Sequence, residues 1–591
     1  MTPRSFRFEK ILYLLAFLLA LGLRFARLGE PALADSEARL ALNALQIVQG
    51  SHPALGSHVA YINLTAILFF VFGSTNFLAR FWPALAGSAL ALIPALYRDQ
   101  IKPRPAVILA FFLAIDPAFV ALARQAGSPI LAVTFSLLAV GFWLRRRPRL
   151  AGLFAALALL SGPALWVGLL GMLLTWMITQ WVTARPKSDV SESILETPTS
   201  EAQSETPASP EPQPAPTKPE HWSLNTDYRS LITAFVITFL AASTLFLLAP
   251  QGLSAWLGSL PEYILGWVSP SGVTSGRLFL ALGVYQLLAI LLALIAIARG
   301  WWNGSRRVIR LSLWVLIALL LAVFYPARQP ADLVWTLLPL WTLAALEFAR
   351  HVDFDRYDRI ETAGVIAFTA LLLGFAWMDL NALYWAALPS QQGNIRVGLF
   401  FGALFLLVIS VVLVGFGWSQ RIARVGAAWG TMLILGLYTL GAAWGATGLR
   451  MPAGVDLWLA DHPIQQADLL SLTADQASEW ATGHADKLPV TVFGVDSPAL
   501  LWALRNHPVK VVIALDPATS PELVITPVQQ SLGLEAGYRG QDFVWRQTPS
   551  WDALPTYLLH WVTYRELPTQ GETIILWVRQ DLFIDSRPTT P

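Results

Sequence analysis

Ile11–Leu23 reads ILYLLAFLLALGL, and what surrounds this run decides the architecture. Arg4, Arg7 and Lys10 precede it, and Arg24, Phe25, Ala26 and Arg27 follow. A basic flank, an apolar run and no small-residue cleavage site make it an uncleaved first span with its N-terminus inside. The rest of the chain agrees. Of 591 residues, 55% are apolar and 13% are charged, with 25 tryptophans. Soluble domains carry roughly 25% charge. This composition excludes a soluble enzyme and a disordered protein. A net charge of +2 excludes a surface built to hold nucleic acid. The absence of cysteine excludes disulfides, thiolate metal sites and cysteine nucleophiles.

Further apolar runs centre on 81–97, 106–122, 130–144, 150–161, 164–182, 231–248, 278–298, 311–325, 333–348, 363–378, 397–418 and 425–444. Together they predict about 13 spans on a criterion of roughly 20 residues each. Tyr61–Phe72 is short and carries Asn63 and Thr65. The basic clusters at Arg98/Lys102/Arg104, Arg145–Arg149, Arg299–Arg310, Arg350–Arg359 and Arg421/Arg424 all fall inside if Tyr61–Phe72 does not cross. It is therefore expected as an interfacial or re-entrant segment on the outer face. The odd span count then places the C-terminus outside. The expected organisation is a first membrane module at 1–184 with an outer loop at 24–80, a linker at 185–226, a second membrane module at 227–450 and an outer domain at 451–591.

The linker is rich in Pro, Ser, Thr and Glu, as in Glu201–Pro216 (EAQSETPASPEPQPAP), and cannot bury a core. It is expected to be disordered and cytoplasmic. The tail differs. Leu488–Phe493, Val509–Ile513, Glu522–Ile525, Gln541–Gln547 and Thr573–Val578 read as strands, and Ser497–His507 and Trp551–Tyr564 as helices. That alternation predicts a small α/β domain. No glycine-rich phosphate turn opens its helices. The fold class is thus mainly α, a polytopic membrane protein with a small C-terminal α/β domain.

The chemistry is sought in the first outer loop, at Leu33–Gly50 (LADSEARLALNALQIVQG). Asp35 and Glu37 stand just beyond the first span and open a helix with apolar Leu40, Leu42, Ala44, Leu45 and Val48. Acidic residues at a helix start also serve as caps and dipole partners, so the pair has a structural as well as a chemical reading. Downstream lie Phe72–Arg80 (FGSTNFLAR) and a span opening Phe81-Trp82-Pro83-Ala84.

This order of motifs resembles the GT-C glycosyltransferases of family-39-like type, the protein O-mannosyltransferases and aminoarabinose transferases, including bacterial polyprenyl-phosphate-sugar-dependent mannosyltransferases. Their pattern is Asp-Glu-Ala in the first outer loop, a helix closing on Gly, then Phe-Gly and Ala-Arg leading into a span. The similarity is best over Ile11–Leu144 and extends through topology to about Trp444. It implies a GT-C fold in the cell membrane. It also implies an enzyme that moves a sugar from a polyprenyl-phosphate donor to an acceptor at the outer face, the acceptor being a lipid, glycan or protein. In the family the motif aspartate is the general base. Here Ser36 separates the acids, and Asp35 is preferred for that role with Glu37 second. A carboxylate at a cavity rim suits proton acceptance. The leaving lipid phosphate needs cations, for which Arg80, Arg124, Arg277 and Arg328 at the outer span ends are candidates. Ser128 in Ala123–Pro129 (ARQAGSP) stands where the family often has a second acid. His52 and His58 are weak metal candidates; a divalent metal stays open without support, and no cofactor is certain. Asp35 is expected to face an outer cavity bounded by the first loop and the soluble domain.

Two other readings compete: a flippase for a lipid-linked glycan, and a GT-C scaffold without activity. A transporter needs mid-span ionisable groups and repeated halves. Only Asp116, Asp332 and Glu347 qualify, near span ends, and no inverted repeat is visible.

Overall fold

The computed structural model describes residues 3–183, 224–352, 359–385, 390–450, 455–459, 461–528 and 532–583. The linker therefore lies outside the described residues up to position 223. The chain opens with α1 (Pro3–Phe25), α2 (Asp35–Val48), α3 (Val59–Phe72) and α4 (Asn76–Leu90). Every expected apolar run centres on helix, and the protein is a multi-pass membrane protein.

Among the described residues, seven helices are long and apolar enough to cross a membrane, and nine if two bent pairs each count as one span. The count falls short of the expected runs partly because several are interrupted or short. Pro103–Ile115 and Pro117–Ala123 meet at 57°, and Ser275–Tyr285 and Leu287–Trp302 at 88°. Ile130–Leu144 and Pro148–Leu159 have only 15 and 12 residues. The two breaks are joined to each other. Asp116 caps the Pro117 helix by accepting from the Phe119 amide at 2.7 Å, and it accepts from Gln286 Nε2 at 2.6 Å and Trp341 Nε1 at 2.7 Å. Asp116 lies at the break inside its run, not at the end, and is fully buried.

α3 has 14 residues, about 21 Å of helix, against a hydrocarbon core of about 30 Å. Asn63, a polar residue in an apolar run, donates to the Ala242 and Ser243 carbonyls at 2.7 and 3.0 Å, closing the open end of helix Leu224–Ser243. Those carbonyls have no partner within their own helix, which gives Asn63 a structural reason.

The C-terminal sheet has strands β1 (Val490–Phe493), β2 (Val509–Val512), β3 (Leu523–Pro527), β4 (Tyr538–Pro549) and β5 (Thr569–Arg579), in the order β2-β1-β3-β5-β4. β2, β1 and β3 are parallel, and β5 pairs antiparallel with β3 and β4. All five expected strands are present. Helix Ala467–Thr482, not anticipated, covers the sheet through Leu470, Ala474 and Ala477. The expected helix at Ser497–His507 is only Pro498–Ala503.

The domain is not a separate body. Leu33, Ala38, Ala41, Tyr61 and Phe69 of the first loop share one buried cluster with Val490, Val492, Trp502, Phe543 and Trp545. A second cluster unites Trp335 and Trp341 of the membrane helices with Trp458 and Trp561 of the tail. Burial of large aromatic side chains dominates contacts of this kind. The first loop and the tail, hundreds of residues apart, therefore fold as one unit.

Candidate functional site

The site is built where α2 begins. Its N-cap, Ala34, has no side-chain acceptor, so the first turn takes its partners from elsewhere. Glu37 reaches back to the Ala34 amide at 3.1 Å. The Ser36 amide donates to Asp461 at 2.6 Å, a carboxylate supplied by the tail.

Asp35 lies at the same seam. Its Oδ1 accepts from the Ser497 hydroxyl at 2.5 Å and the Ala499 amide at 3.0 Å. Its Oδ2 accepts from Arg546 Nε at 2.8 Å and from the guanidinium's second arm at 2.7 Å. The exchange is reciprocal: a first-loop carboxylate satisfies the helix start at Pro498, and a tail carboxylate satisfies the start of α2. A β-bulge between Val544 and Arg546 interrupts the β4–β5 ladder here. Such bulges re-aim side chains at functional edges. Ser497 also accepts from Trp545 Nε1 at 3.0 Å and from the Leu500 amide at 3.3 Å. Arg546 continues to Glu572 at 3.1 Å and to the Asp496 carbonyl at 2.8 Å. Asp35, expected at an outer cavity, thus lies closed against the α/β domain, with four donors on its two oxygens. Trp502 packs on Phe69 of α3 at 5.7 Å and donates to Asn76 at 2.8 Å.

Glu37 points the other way, into the protein. It is buried, pairs with Arg80 through Nε at 2.9 Å and the second arm at 2.5 Å, and accepts from the Ala126 amide at 2.8 Å. With the Ala34 amide, its four acceptor directions are filled. The remaining donors of Arg80 go to the carbonyls of Leu28, Pro31 and Ala32. Arg124 closes the end of α1 on the Arg24, Ala26 and Arg27 carbonyls and reaches Thr447 at 2.7 Å. Arg80 and Arg124 thus turn these donors to protein acceptors. The free carbonyls at the end of α1 and in the turn after it explain why: only a multi-donor guanidinium can satisfy several at once.

Arg277 and Arg328 lie elsewhere. The Arg277 guanidinium stacks 4.1 Å from the Trp551 ring of the tail. Arg328 donates to the Val273 carbonyl at 3.1 Å. The Nε of each is buried with no hydrogen-bond partner among the described residues. Trp551 leads through Trp561 to Arg565, whose guanidinium lies 4.5 Å from the Trp561 ring and 4.4 Å from that of Tyr285. Arg565 is buried, with one terminal nitrogen unpartnered among the described residues and its backbone at φ 59°. Asp456 faces it at 3.9 Å and accepts from the Tyr285 hydroxyl at 2.5 Å. Burial raises the Asp456 carboxyl above its ordinary range, opposed by the Arg565 charge.

Beside this row a cavity of about 690 Å³ opens between helices Arg359–Trp385, Ser390–Gly417 and Gln420–Ala446. Leu373, Trp377 and Leu437 line its walls, and Arg450 and Arg565 stand at its tail-facing end. Asp456, Asp461, Arg546 and Arg565 were not anticipated. The expected helix at Ser497–His507 was the nearest signal.

Ser128 is buried and holds the Ile130 amide at 3.4 Å. His52 is exposed. His58 precedes α3 against Gly162, where a Cβ would come within 2.9 Å of the imidazole. Gly162 has φ +101°, so its position demands glycine twice over. Burial lowers the His58 pKa, with the Glu262 carboxylate acting against it. Among the described residues, no three His, Asp or Glu side chains gather to hold one metal ion.

The helix order, the first-loop helices and the α/β tail closing over them define a many-helix membrane fold with a small α/β domain. Over nearly its full length the chain is similar to ArnT from Cupriavidus metallidurans. The crystal structure bound to undecaprenyl phosphate aligns with TM-score 0.51 and 13% identity, covering 98% of this chain and 99% of that one. The apo structure gives TM-score 0.51 and 14% identity, covering 96% and 98%. At that identity the likeness is one of fold. No protein-family model and no curated protein matches the sequence.

Proposed function

We propose that the chain is an integral-membrane glycosyltransferase that moves a sugar from a polyprenyl-phosphate donor to an acceptor hydroxyl at the outer face. The observation that carries this reading is the hydrogen bond from the Ser497 hydroxyl to Asp35 at 2.5 Å. A hydroxyl donating to a carboxylate at a domain seam is the arrangement an acceptor needs before attack. In the reaction, the acceptor replaces Ser497 and gives its proton to Asp35. Its oxygen bonds the anomeric carbon from the face opposite the phosphate, and the carbon–oxygen bond to phosphate breaks. The departing lipid phosphate is already an anion, so guanidinium charge stabilises it better than a proton donor would. Arg277, with its unpartnered Nε, and Arg565 and Arg450, at the end of an apolar cavity, support this role. Arg328 is a further cation in this part of the molecule.

Glu37 belongs to the frame. Protonating it would break its pairing with Arg80. A flippase is less well supported, because Asp116 accepts three hydrogen bonds from the protein and Glu347 is paired with Arg299. A scaffold without activity is favoured by one observation: every acceptor direction of Asp35 is filled. Purified protein incubated with labelled polyprenyl-phosphate sugars separates the readings. Transfer by the native chain that Asp35→Asn abolishes supports the enzyme; no transfer to lipid, glycan or peptide acceptors supports the scaffold.

A further inference from the structure

A cavity of about 330 Å³ lies between the first loop and the tail, at the small end of ligand sites, which start at roughly 300 Å³. Leu33, Asn76 and Phe77 line it from the first loop. Asp468, Ser471 and Asp475 line it from helix Ala467–Thr482, where spacings of three and four put them on one face. Trp502, Asn506 and His507 complete the wall from the end of helix Pro498–Ala503 and the turn after it.

The wall is fixed before any ligand arrives. Trp502 donates to Asn76 at 2.8 Å, and His507 Nε2 lies 2.9 Å from Asp475 Oδ1. Arg505 donates to the Trp502 carbonyl at 2.9 Å and to Ser74 at 3.2 and 3.3 Å, with its guanidinium 4.6 Å from the Trp502 ring. Little has to order on binding, which lowers its cost. Hydrogen-bonding capacity is nevertheless left over. Among the described residues, the side chains of Asp468 and Asn506 make no hydrogen bond to the protein, and those of Asp475 and Asn76 use one oxygen each. The carboxylates only accept, while the Asn amides both donate and accept.

We infer that this cavity binds a neutral pyranose unit of a glycan. Sugar hydroxyls both donate and accept, which a wall of mixed acids and amides satisfies, and the C–H face of the ring suits the exposed Phe77. An anion would meet two carboxylates, and Arg505, the one Arg or Lys among the described residues of the wall, already gives three donors to the protein. An ammonium group needs acceptors alone and leaves the amide donors without a use. Among the described residues, no three His, Asp or Glu side chains gather to hold a metal ion. Ala499, whose amide donates to Asp35, lines the same cavity, so the sugar is held at the seam that holds Asp35. The inference does not rest on the glycosyltransferase reading.

The test uses the full chain in phosphatidylcholine nanodiscs, because a sugar-headed detergent would compete for the site. Saturation-transfer NMR with methyl mannoside, methyl glucoside and methyl galactoside at millimolar concentration should show ring protons of at least one in contact with the protein. Asp468→Ala with Asn506→Ala, both exposed, should weaken that affinity about tenfold, the scale of two lost hydrogen bonds. Ser471→Trp, which fills the cavity, should abolish it. No contact from any of the three sugars, or undiminished affinity in the folded variants, overturns the inference. So does ethanolamine binding in place of every sugar, which would make this an ammonium site. Sugar binding by a chain that transfers nothing leaves the inference standing, and transfer by a chain that shows no binding here overturns it while the enzyme reading holds.

Discussion

Breaking the Glu37–Arg80 pair is the sharpest test of how the first-loop site is held. Both side chains are 7% exposed, so solvent screens them little. In Glu37→Gln, four donors still converge on the position: two from Arg80 and the amides of Ala34 and Ala126. The amide oxygen can accept two of them, while its NH2 meets the others donor to donor. Breaking a buried pair in this way costs about 3–5 kcal/mol. At about 2–4 °C per kcal/mol for a unit of 150–250 residues, the melting temperature should fall by roughly 6–20 °C. Arg80→Met should fall at least as far, since the carbonyls of Leu28, Pro31 and Ala32 also lose their donors. In the double variant the charge conflict vanishes, and the loss should be smaller than the sum by about 0.5–3 kcal/mol. Scanning fluorimetry of detergent-purified protein reads all three. A Glu37→Gln protein melting within about 2 °C of the native one, by the same conversion, would refute the framing role and return Glu37 to consideration as a base.

Asp35→Asn should lower sugar transfer by about 10²–10⁴-fold, the usual share of general acid–base catalysis, measured with labelled donor; unchanged turnover removes Asp35 from the chemistry. Arg546→Met should loosen the tail from α2, read as faster hydrogen exchange at 497–503, and an unchanged rate would deny that this clamp holds the domain. Burial lowers the folded His58 pKa below that of an exposed imidazole. Below about pH 6.5 the unfolded chain therefore binds a proton that the folded one refuses, and stability should fall on acidification toward the folded pKa. His58→Gln should flatten that fall, and an identical pH profile would contradict it. Because the native chain has no cysteine, single cysteines at Ser204 and His484 report topology cleanly: a membrane-impermeant maleimide on intact cells should label the second and spare the first.

The composition and the apolar runs determined the membrane class. Hydrocarbon accepts only backbone that satisfies itself, so a run of the right length and polarity has one outcome. The five tail strands were equally legible, because short β-branched runs between turn residues describe a pleated, half-buried surface whatever surrounds it. The start of α2 could be located too, since acids favour that position by local physics alone. The partners of those acids could not be read. Asp35 meets Ser497 and Arg546, and Glu37 meets Arg80 and Ala126. Nothing in Asp-Ser-Glu says which acid turns inward, because successive residues on a helix face different directions and packing chooses between them. The broken spans were hidden for the same reason: a hydropathy run cannot show that Asp116 and Gln286 join two kinks. Arg80 and Arg124 looked like free cations at span ends because their acceptors are backbone carbonyls, present at every residue and exposed only where the tertiary fold ends a helix or turns a loop.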